Sequence, residues 1–347
     1  MIRKQRAVVV CPGRACYNKE QLGYLATNHS HRHSTIETID AYRQQQGFLP
    51  VSTLDGQDKF SMQLHTKGEN AAALIYACAI SDHQAIDLNQ FDICAVTGNS
   101  MGWYIALAAT NALSPIDSIR LVNTMGAAMT DELIGGQLIY PVADTNWLIN
   151  SAKREQVLKL IDEVNQQTNY QLYLSIDLGP FMVLAGCDNG LSQFEQRIDK
   201  IDNYPMRLAN HGAFHSPMLR TISDRAFTQL PATMFNKPSI ALIDGNGNLW
   251  SPYSCDTEAL QRYTLDNQVC DSYYFNRAID VAIKEYSPDV FIILGPGNSL
   301  SSSVAQRLIE LKWQGIDSKA AFVQRQKNKP IIIAMGVPEQ RQLATIN

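Results

Sequence analysis

The stretch TGNSMGWYIALAA, at positions 97–109, restricts the fold of this chain more than any other part of the sequence. Its residues Gly98 to Gly102 fit G-x-S-x-G, in which a strand turns sharply into a helix and exposes a serine at the end of a parallel sheet. Glycines flank the serine because such a turn leaves no room for Cβ atoms beside it. The apolar run FDICAVTG before the pattern predicts a buried strand, and the segment after it has the composition of a helix. The sequence therefore predicts an α/β fold with Ser100 on a nucleophile elbow.

A serine on such an elbow needs a base to become a nucleophile. Among the seven histidines, His215 in ANHGAFHSPML is the best placed, because it follows the point where the chain returns to the predicted large domain. His211 is the nearby competitor. The structural alternative stays open for both motifs, namely an ordinary strand-to-helix turn at Ser100 and a hydrogen-bonded core histidine at His215. Retention of both residue types in one chain favours the catalytic interpretation.

The remaining pattern divides the chain into a large domain and an insertion. Residues 1–134 and 209–347 alternate short apolar strands with helical segments, which predicts an α/β-hydrolase-like domain built on a parallel sheet. The first strand is RAVVVC, because this run is too short for a signal peptide and ends at Pro12. Residues 135–208 follow the order β-α-β-β-α-β, which is ferredoxin-like. We expect them to form a small subdomain inserted into the large one.

Composition narrows the range of partners and compartments. The chain has 347 residues, 45% of them hydrophobic and 18% charged, and a net charge of −4, which gives no reason to expect nucleic acid as a partner. Its apolar runs are shorter than the roughly 18 residues of a membrane span, so no membrane partner is expected either. Seven cysteines without a C-x-x-C pair are typical of reduced thiols, which predicts a cytoplasmic protein.

Three histidines alternate in the motif HSHRH, at His29, His31 and His33. On a strand these side chains would share one face, and imidazole is a common metal ligand. The motif lies in a polar segment with helical character, however, where alternate positions do not face the same way. We therefore expect these histidines on a solvated surface and predict no metal site.

The two motifs and their surroundings resemble the malonyl-CoA:acyl carrier protein transacylases and the acyltransferase domains of polyketide synthases. GNSMG resembles the family's Gly-His-Ser-Leu-Gly, VVVCPGRACY its opening strand and Pro-Gly-Gln-Gly turn, and GAFHSPML the His-Ala-Phe-His-Ser-Pro segment of polyketide acyltransferases. LSIDLGPFMVLAG resembles the family's hairpin in the small subdomain, and LDNQVCDSYYF and LGPGNSL resemble its closing elements. Each match is modest, but together they extend in order over nearly the whole chain.

The resemblance implies a mechanism and its residues. Ser100 would attack an acyl thioester to form an acyl-enzyme, and His215 would act as base and then as acid. The backbone N–H groups of Met101 and Arg14 would bind the oxyanion. A backbone carbonyl near Cys270 would orient the histidine, in place of a carboxylate. No cofactor is implied, because coenzyme A and phosphopantetheine thioesters are the substrates and an acyl carrier protein is the partner.

The positions at which this sequence differs from the family's motifs predict the charge of the acyl group. In malonyl-specific members an arginine pairs with the substrate's free carboxylate, and here Met125 in LVNTMGAAM takes its place. A buried carboxylate without a partner is costly, whereas methionine lines an apolar pocket readily. We therefore predict a preference for neutral acyl groups over malonyl, with Arg14 as an alternative carboxylate clamp. The residues predicted to line the acyl pocket are Met125, Phe214, Asn99, Trp103 and Asn70.

These observations predict an acyltransferase that loads an acyl group onto a carrier protein in polyketide or fatty acid biosynthesis. Two alternatives remain. A hydrolase of the same fold would clear acyl groups from carriers by using water as the acceptor, and the sequence separates it poorly from a transferase. A non-catalytic carrier-docking protein with a decayed site is the less favoured alternative, because both Ser100 and His215 are present.

Overall fold

The computed structural model describes residues 3–30, 33–131 and 133–346. The strands of the described residues are β1 (Gln5–Cys11), β2 (Phe91–Gly98), β3 (Gly136–Pro141), β4 (Leu172–Leu178), β5 (Phe181–Gly186), β6 (Met206–Arg207), β7 (Leu242–Ile243), β8 (Leu249–Trp250), β9 (Val290–Ile293) and β10 (Ile332–Ala334). The α-helices are α1 (Tyr24–His29), α2 (His33–Gln45), α3 (Val51–Asp55), α4 (Met62–His65), α5 (Gly68–Ala85), α6 (Gly102–Ala109), α7 (Pro115–Asp131), α8 (Ser151–Asn165), α9 (Asp188–Arg197), α10 (Arg220–Gln229), α11 (Thr257–Arg262), α12 (Gln268–Cys270), α13 (Phe275–Tyr286), α14 (Ser301–Glu310), α15 (Lys319–Asn328) and α16 (Pro338–Arg341). A π-helical turn at Tyr263–Asn267 joins α11 to α12.

The larger sheet has the strand order β10-β9-β1-β2-β7-β8, and its pairs are parallel except for β7 with β8. Ala7 to Cys11 of the central strand β1 are completely buried. A continuous apolar run of this kind is expected where helices cover both faces of a parallel sheet. Two hydrophobic clusters lie on the two sides, one around α5 and α6 and the other around α13 and α14. The predicted large α/β domain is confirmed.

The smaller sheet has the order β4-β5-β3-β6 and is antiparallel. With α8 and α9 it gives the succession β-α-β-β-α-β, which confirms the predicted ferredoxin-like order. One face of the sheet packs on these two helices in a separate hydrophobic cluster, in which Tyr140 meets Phe194 edge to face. All four strands lie within residues 135–208, and the division of the chain at these two positions stays a prediction.

The small sheet is fastened to the large domain through the segment before α13. The Tyr273 N–H donates to the Ser175 carbonyl at 2.8 Å, and the Asp177 N–H donates to the Tyr273 carbonyl at 2.9 Å. Asp177 also accepts two hydrogen bonds from Arg154, at 2.7 and 3.0 Å, and one from Asn276. The bonds to Tyr273 and Asn276 join β4 to the large domain. Tyr273 also bonds to the carbonyl of Gly98, the last residue of β2, where the elbow begins.

The histidine motif is placed differently from the expectation. His29 is buried, and its Nε2 lies 2.8 Å from Oδ1 of Asp82, which also pairs with Arg341. The expectation of a solvated surface is therefore wrong for His29, because a completely buried carboxylate needs charged and hydrogen-bonding partners. His33 begins α2, and His31 lies outside the described residues.

The elbow is possible only with glycines at its two flanking positions. A Cβ on Gly102 would lie 2.3 Å from the carbonyl oxygen of Cys11, and a Cβ on Gly98 would lie 2.3 Å from the backbone of Gly102. Backbone atoms of β1 cannot yield at low cost, since β1 is the central strand of the sheet. The close approach of α6 to β1 therefore requires Gly102.

We expect the substitution Gly102→Ala to lower the free energy of unfolding by about 1–3 kcal/mol, the usual effect of overpacking a closely packed region. Gly136→Ala is the matched control, because the nearest neighbour of its Cβ would be the movable Leu191 side chain at 3.3 Å. Chemical denaturation of the three proteins measures both effects. Equal stabilities for Gly102→Ala and Gly136→Ala would show that the contact with Cys11 does not constrain the elbow.

Candidate active site

Ser100 stands at the end of β2 with a φ of +55°, the left-handed conformation that side chains other than glycine rarely adopt. The turn is held by hydrogen bonds from the Gly102 N–H to the Asn99 carbonyl and from the Asn99 N–H to the Cys11 carbonyl. A strained backbone that the surrounding structure enforces is characteristic of functional sites. The arrangement is the strand–turn–helix that the sequence predicts for Ser100.

The partner of Ser100 is His215. Its Nε2 lies 2.7 Å from the Ser100 Oγ, and its Nδ1 lies 2.6 Å from the backbone carbonyl oxygen of Gln268. A carbonyl oxygen only accepts hydrogen bonds, so Nδ1 carries the proton and Nε2 presents its lone pair to the serine hydroxyl. His215 is thus in the tautomer that a general base needs. His211, the competitor, bonds instead to the side chain of Gln137 at 2.8 Å.

The carbonyl that orients the histidine belongs to Gln268, and the prediction of Cys270 is wrong by two residues. The helical segment ends at Cys270, and the carbonyls of a last helical turn have no intrahelical partner. The Nδ1–H group of His215 donates to the carbonyl of Gln268 in this turn. The Gln268 side chain also donates to the Ser100 carbonyl at 3.0 Å and accepts from the Tyr104 hydroxyl at 2.9 Å. Gln268 could not be found from the sequence, because its only signal is its position two residues before a helix end.

Burial sets the protonation state of the base. It lowers the pKa of His215 to about 4 from the ordinary 6.5, and the hydrogen bond to the Gln268 carbonyl partly opposes this shift. The imidazole is therefore neutral at pH 7 and can accept the serine proton. Among the described residues, the His215 ring forms hydrogen bonds to Ser100 and to the Gln268 carbonyl, and to no carboxylate.

The two residues predicted to bind the oxyanion line the same cavity as Ser100. Met101 follows the serine directly, and both Met101 and Arg14 line the cavity at the serine hydroxyl. Within the described part of the chain, neither of their backbone N–H groups donates to a protein acceptor. Two free donors next to the nucleophile are what a developing oxyanion requires.

A cavity of about 490 Å³, its open mouth included, begins at Ser100 and extends between α5, α7 and the segment before α10. Met125 and Phe214 line it, as predicted. Most of the other lining is also apolar, contributed by Ala72, Met101, Tyr104, Val122, Leu219 and Val269.

Arg14 supplies the formal positive charge of this cavity lining. Its guanidinium lies over the Phe214 ring at 5.2 Å and donates through Nη2 to the carbonyls of Thr66 and Asn210, both at 3.3 Å. Burial lowers the pKa of Arg14 to about 10, and the nearby Glu69 carboxylate opposes this shift. Arg14 is therefore still a cation at pH 7, held at the edge of an apolar cavity.

Three residues predicted for the acyl pocket are placed elsewhere. Trp103 is completely buried, and its indole N–H donates to Thr264 at 3.0 Å. Asn70 is buried, and its Oδ1 accepts from Arg43 at 2.9 Å. Asn99 is also buried and is not part of the cavity lining. These predictions are wrong because a position next to a motif residue does not determine which side of a helix or turn faces the cavity.

The arrangement combines a nucleophile, a neutral base in a fixed tautomer, two free N–H donors and an apolar cavity. Together these groups are suited to acyl transfer through an ester on serine. In the described ranges, no group of three or more His, Cys, Asp or Glu side chains is placed to hold a metal ion. No helix in the same ranges is both long and apolar enough to cross a bilayer.

No protein-family model matches the chain, but sequence comparison finds relatives that are named as transacylases and polyketide synthases. The mitochondrial malonyl CoA-acyl carrier protein transacylase of Schizosaccharomyces pombe is 24% identical over 261 residues, which are 70% of this chain and 80% of the relative. The Bacillus subtilis polyketide biosynthesis malonyl CoA-acyl carrier protein transacylase PksC is 26% identical over 210 residues, 60% of this chain and 67% of the relative. A non-reducing polyketide synthase of Aspergillus terreus is 24% identical over 71% of this chain, which spans 9% of that protein.

Solved structures share the fold over nearly the whole chain. An acyl-carrier-protein S-malonyltransferase from Burkholderia pseudomallei superposes with a TM-score of 0.75 at 16% identity, covering 97% of this chain and 98% of that one. The malonyl-transacylase PlMCAT, solved in complex with a type II polyketide synthase acyl carrier protein, gives a TM-score of 0.73 at 14% identity, with 99% of each chain covered. Fold and site together define an α/β protein with a serine–histidine pair on a nucleophile elbow. The relatives and structural neighbours are named malonyl-CoA:acyl carrier protein transacylases and polyketide synthases, which confirms the resemblance found in the sequence.

The pKa of His215 predicts how acylation depends on pH. Protonated imidazole cannot take the serine proton, so activity is lost as the pH falls through the native pKa of about 4, rather than through the ordinary 6.5. We expect kcat/KM for acylation to stay nearly constant from pH 7.5 to pH 5.5. Single-turnover rates across this range measure it.

Circular dichroism at each pH is the control, because buried neutral histidines also affect stability. The unfolded chain binds protons on such histidines below about pH 6.5 while the native state does not, so stability decreases as the pH falls below that value. An acid limb centred near pH 6.5 in protein that is still folded would contradict the assignment of a desolvated His215 as the base.

Proposed function

We propose that this protein transfers an acyl group from an acyl-CoA to the phosphopantetheine thiol of an acyl carrier protein, through an ester on Ser100. The observation that carries the proposal is the 2.7 Å contact between the Ser100 Oγ and the His215 Nε2, in the tautomer fixed by Gln268. The names of the relatives support polyketide or fatty acid biosynthesis as the setting. The cytoplasm is the proposed compartment, although one of these relatives is named as mitochondrial.

In the first half-reaction, the His215 Nε2 takes the proton of Ser100 while the Oγ attacks the thioester carbonyl. The carbonyl oxygen becomes an oxyanion, which the N–H groups of Met101 and Arg14 stabilise by hydrogen bonds. The intermediate collapses when the carbon–sulfur bond breaks, and the imidazolium returns its proton to the departing thiolate. The serine ester and free coenzyme A are the products.

In the second half-reaction, the thiol of the carrier protein gives its proton to His215 and attacks the ester. The same two N–H groups bind the second oxyanion, and the imidazolium returns the proton to Ser100 as the ester oxygen leaves. Water can replace the thiol in this step, which would make the protein an acyl-carrier hydrolase. The complex of a similar transacylase with an acyl carrier protein supports the transfer reaction.

The cavity supports a neutral, unbranched acyl group. Met125 and seven other apolar side chains line it, so a free carboxylate deep in the cavity would lack a buried partner. The Phe214 ring lies beside His215 and would crowd a branch at the acyl α-carbon. Acetyl or a longer linear acyl group is therefore the proposed cargo.

A second candidate cargo is malonyl, and the placement of Arg14 is the observation that favours it. The Nη2 atom of Arg14 bonds to two backbone carbonyls, whereas Nε and Nη1 donate to no acceptor among the described residues. A carboxylate near the mouth of the cavity could accept a charge-assisted hydrogen bond from one of these two nitrogens. The family's arginine would then be replaced in function by Arg14.

We expect incubation with an accepted acyl-CoA to increase the protein mass by one acyl unit, located on the peptide that contains Ser100. Ser100→Ala removes the nucleophile and abolishes the increase. His215→Ala slows acylation by about 10²–10⁴-fold, the usual contribution of a general base. Mass spectrometry and quenched-flow rates measure these effects. Persistent labelling of Ser100→Ala would exclude Ser100 as the nucleophile.

The same acyl-enzyme separates transfer from hydrolysis. Purified acyl-enzyme is mixed with a holo carrier protein, with the apo carrier as the matched control, and the fate of the acyl group is followed. We expect loss of the ester to be accelerated by the holo carrier and the acyl group to appear on its thiol. Equal rates with both carriers and release of free acid would identify a hydrolase.

We expect neutral linear acyl-CoA to acylate the protein faster than malonyl-CoA. A missing buried partner for the carboxylate is worth about 3–5 kcal/mol, which corresponds to roughly 10²–10³-fold discrimination. Met125→Arg should shift the preference towards malonyl, and the volume-conserving control Met125→Leu should not. Competition between the two thioesters, read by mass, measures the preference. If the wild type prefers malonyl-CoA and Arg14→Gln removes that preference, Arg14 is the clamp and the proposal of a neutral cargo is wrong.

A further inference from the structure

Buried polar side chains of the small subdomain form a series of hydrogen bonds that ends at the residue before His215. The Ser175 hydroxyl donates to the Phe214 carbonyl at 2.8 Å, and the Gln137 Nε2 donates to the Ser175 Oγ at 2.6 Å. The Gln137 Oε1 accepts from the His211 Nδ1 at 2.8 Å. Ser175 is completely buried, and Gln137 is 3% exposed. These bonds form a continuous chain from β3 and β4 to the peptide group that precedes the base.

That peptide group controls an unusual backbone conformation. His215 has a φ of +56°, and the left-handed region is unfavourable for a residue with a Cβ unless its surroundings hold it there. Rotation about the N–Cα bond of His215, which changes φ, changes the direction of the Phe214 carbonyl relative to the imidazole. A hydrogen bond that fixes the Phe214 carbonyl therefore fixes the direction of the His215 side chain.

A second connection from Ser175 reaches the nucleophile. Its backbone carbonyl accepts from the Tyr273 N–H at 2.8 Å, and the Tyr273 hydroxyl donates to the Gly98 carbonyl at 2.6 Å, two residues before Ser100. The Tyr273 ring also lies 5.2 Å from the His215 ring. Hydrogen bonds thus connect Ser175 to both members of the catalytic pair. Its side chain bonds to the residue before the base, and its main chain bonds to Tyr273, which bonds to the elbow.

We propose that Ser175 and Gln137 are positioning residues, which hold the Phe214 carbonyl and thereby keep His215 within hydrogen-bond distance of Ser100. This inference rests on the proposed function for the reaction that it serves. It also gives the inserted subdomain a part in the chemistry. Loss of either side chain frees the peptide group before His215, so the base leaves its buried orientation for part of the time.

The test compares Ser175→Ala and Gln137→Met with the control Ser81→Ala. Ser81 is also completely buried, and its hydroxyl has no hydrogen-bond partner in the described part of the chain. We expect kcat for acylation to fall by about 10–100-fold in both variants, with KM changed by less than about threefold, because misplacement of a catalytic group affects the chemical step. Ser81→Ala should keep the wild-type kcat. Gln137→Met provides the test if Ser175→Ala fails to fold.

A measurement independent of activity accompanies the kinetics. Titration of the His215 imidazole by NMR should show its pKa rising by about one unit towards the ordinary value in both variants, because a displaced ring is more hydrated. An unchanged pKa and an unchanged kcat relative to Ser81→Ala would overturn the positioning role. If the wild type is not acylated by any acyl-CoA but the His215 pKa still rises in both variants, the proposed function fails and the positioning role stands.

Discussion

The hydrogen bond from the His215 Nδ1 to the Gln268 carbonyl is the interaction on which the rest of the site depends. It fixes the tautomer of the imidazole, and it does so with a neutral acceptor instead of a carboxylate. The base therefore keeps a low pKa, since no negative charge compensates for its burial. An imidazolium formed during the reaction is correspondingly unstable, which favours rapid return of the proton to the departing group. In the proposed reaction, the end of a helix in the large domain would thus take part in the proton transfer through a main-chain carbonyl alone.

The two sheets contribute different parts of the site. The parallel sheet provides the elbow, and the close approach of α6 to β1 at Gly102 makes that elbow rigid. The antiparallel sheet contributes Ser175, which bonds to the peptide group before His215 and to Tyr273 of the large domain. The two units therefore have to keep one relative position for Ser100 and His215 to meet. The bonds of Ser175 and Asp177 to Tyr273 and Asn276, which cross from one unit to the other, favour a single arrangement.

Features with a local signature could be predicted from the sequence. The placement of a side chain that depends on a partner far away along the chain could not. Ser100 could be found because the elbow needs glycines at fixed spacing. The succession of strands and helices in the small subdomain could be read from its apolar runs. The carbonyl at Gln268 was missed because helix ends are not defined by sequence to within two residues. Asn70 and His29 were misplaced because Arg43 and Asp82, their buried partners, lie 27 and 53 positions away along the chain.

Phe214 belongs to two parts of the site at once. Its ring forms a wall of the cavity at Ser100, and its carbonyl accepts the hydrogen bond from Ser175 next to His215. In the proposed reaction, an acyl group that presses on the ring would act on the same residue whose main chain sets the direction of His215. The size of the acyl group and the rate of its transfer would then be linked through Phe214. Such a site would select its cargo kinetically, and a thioester that binds well would still react slowly if it fitted badly.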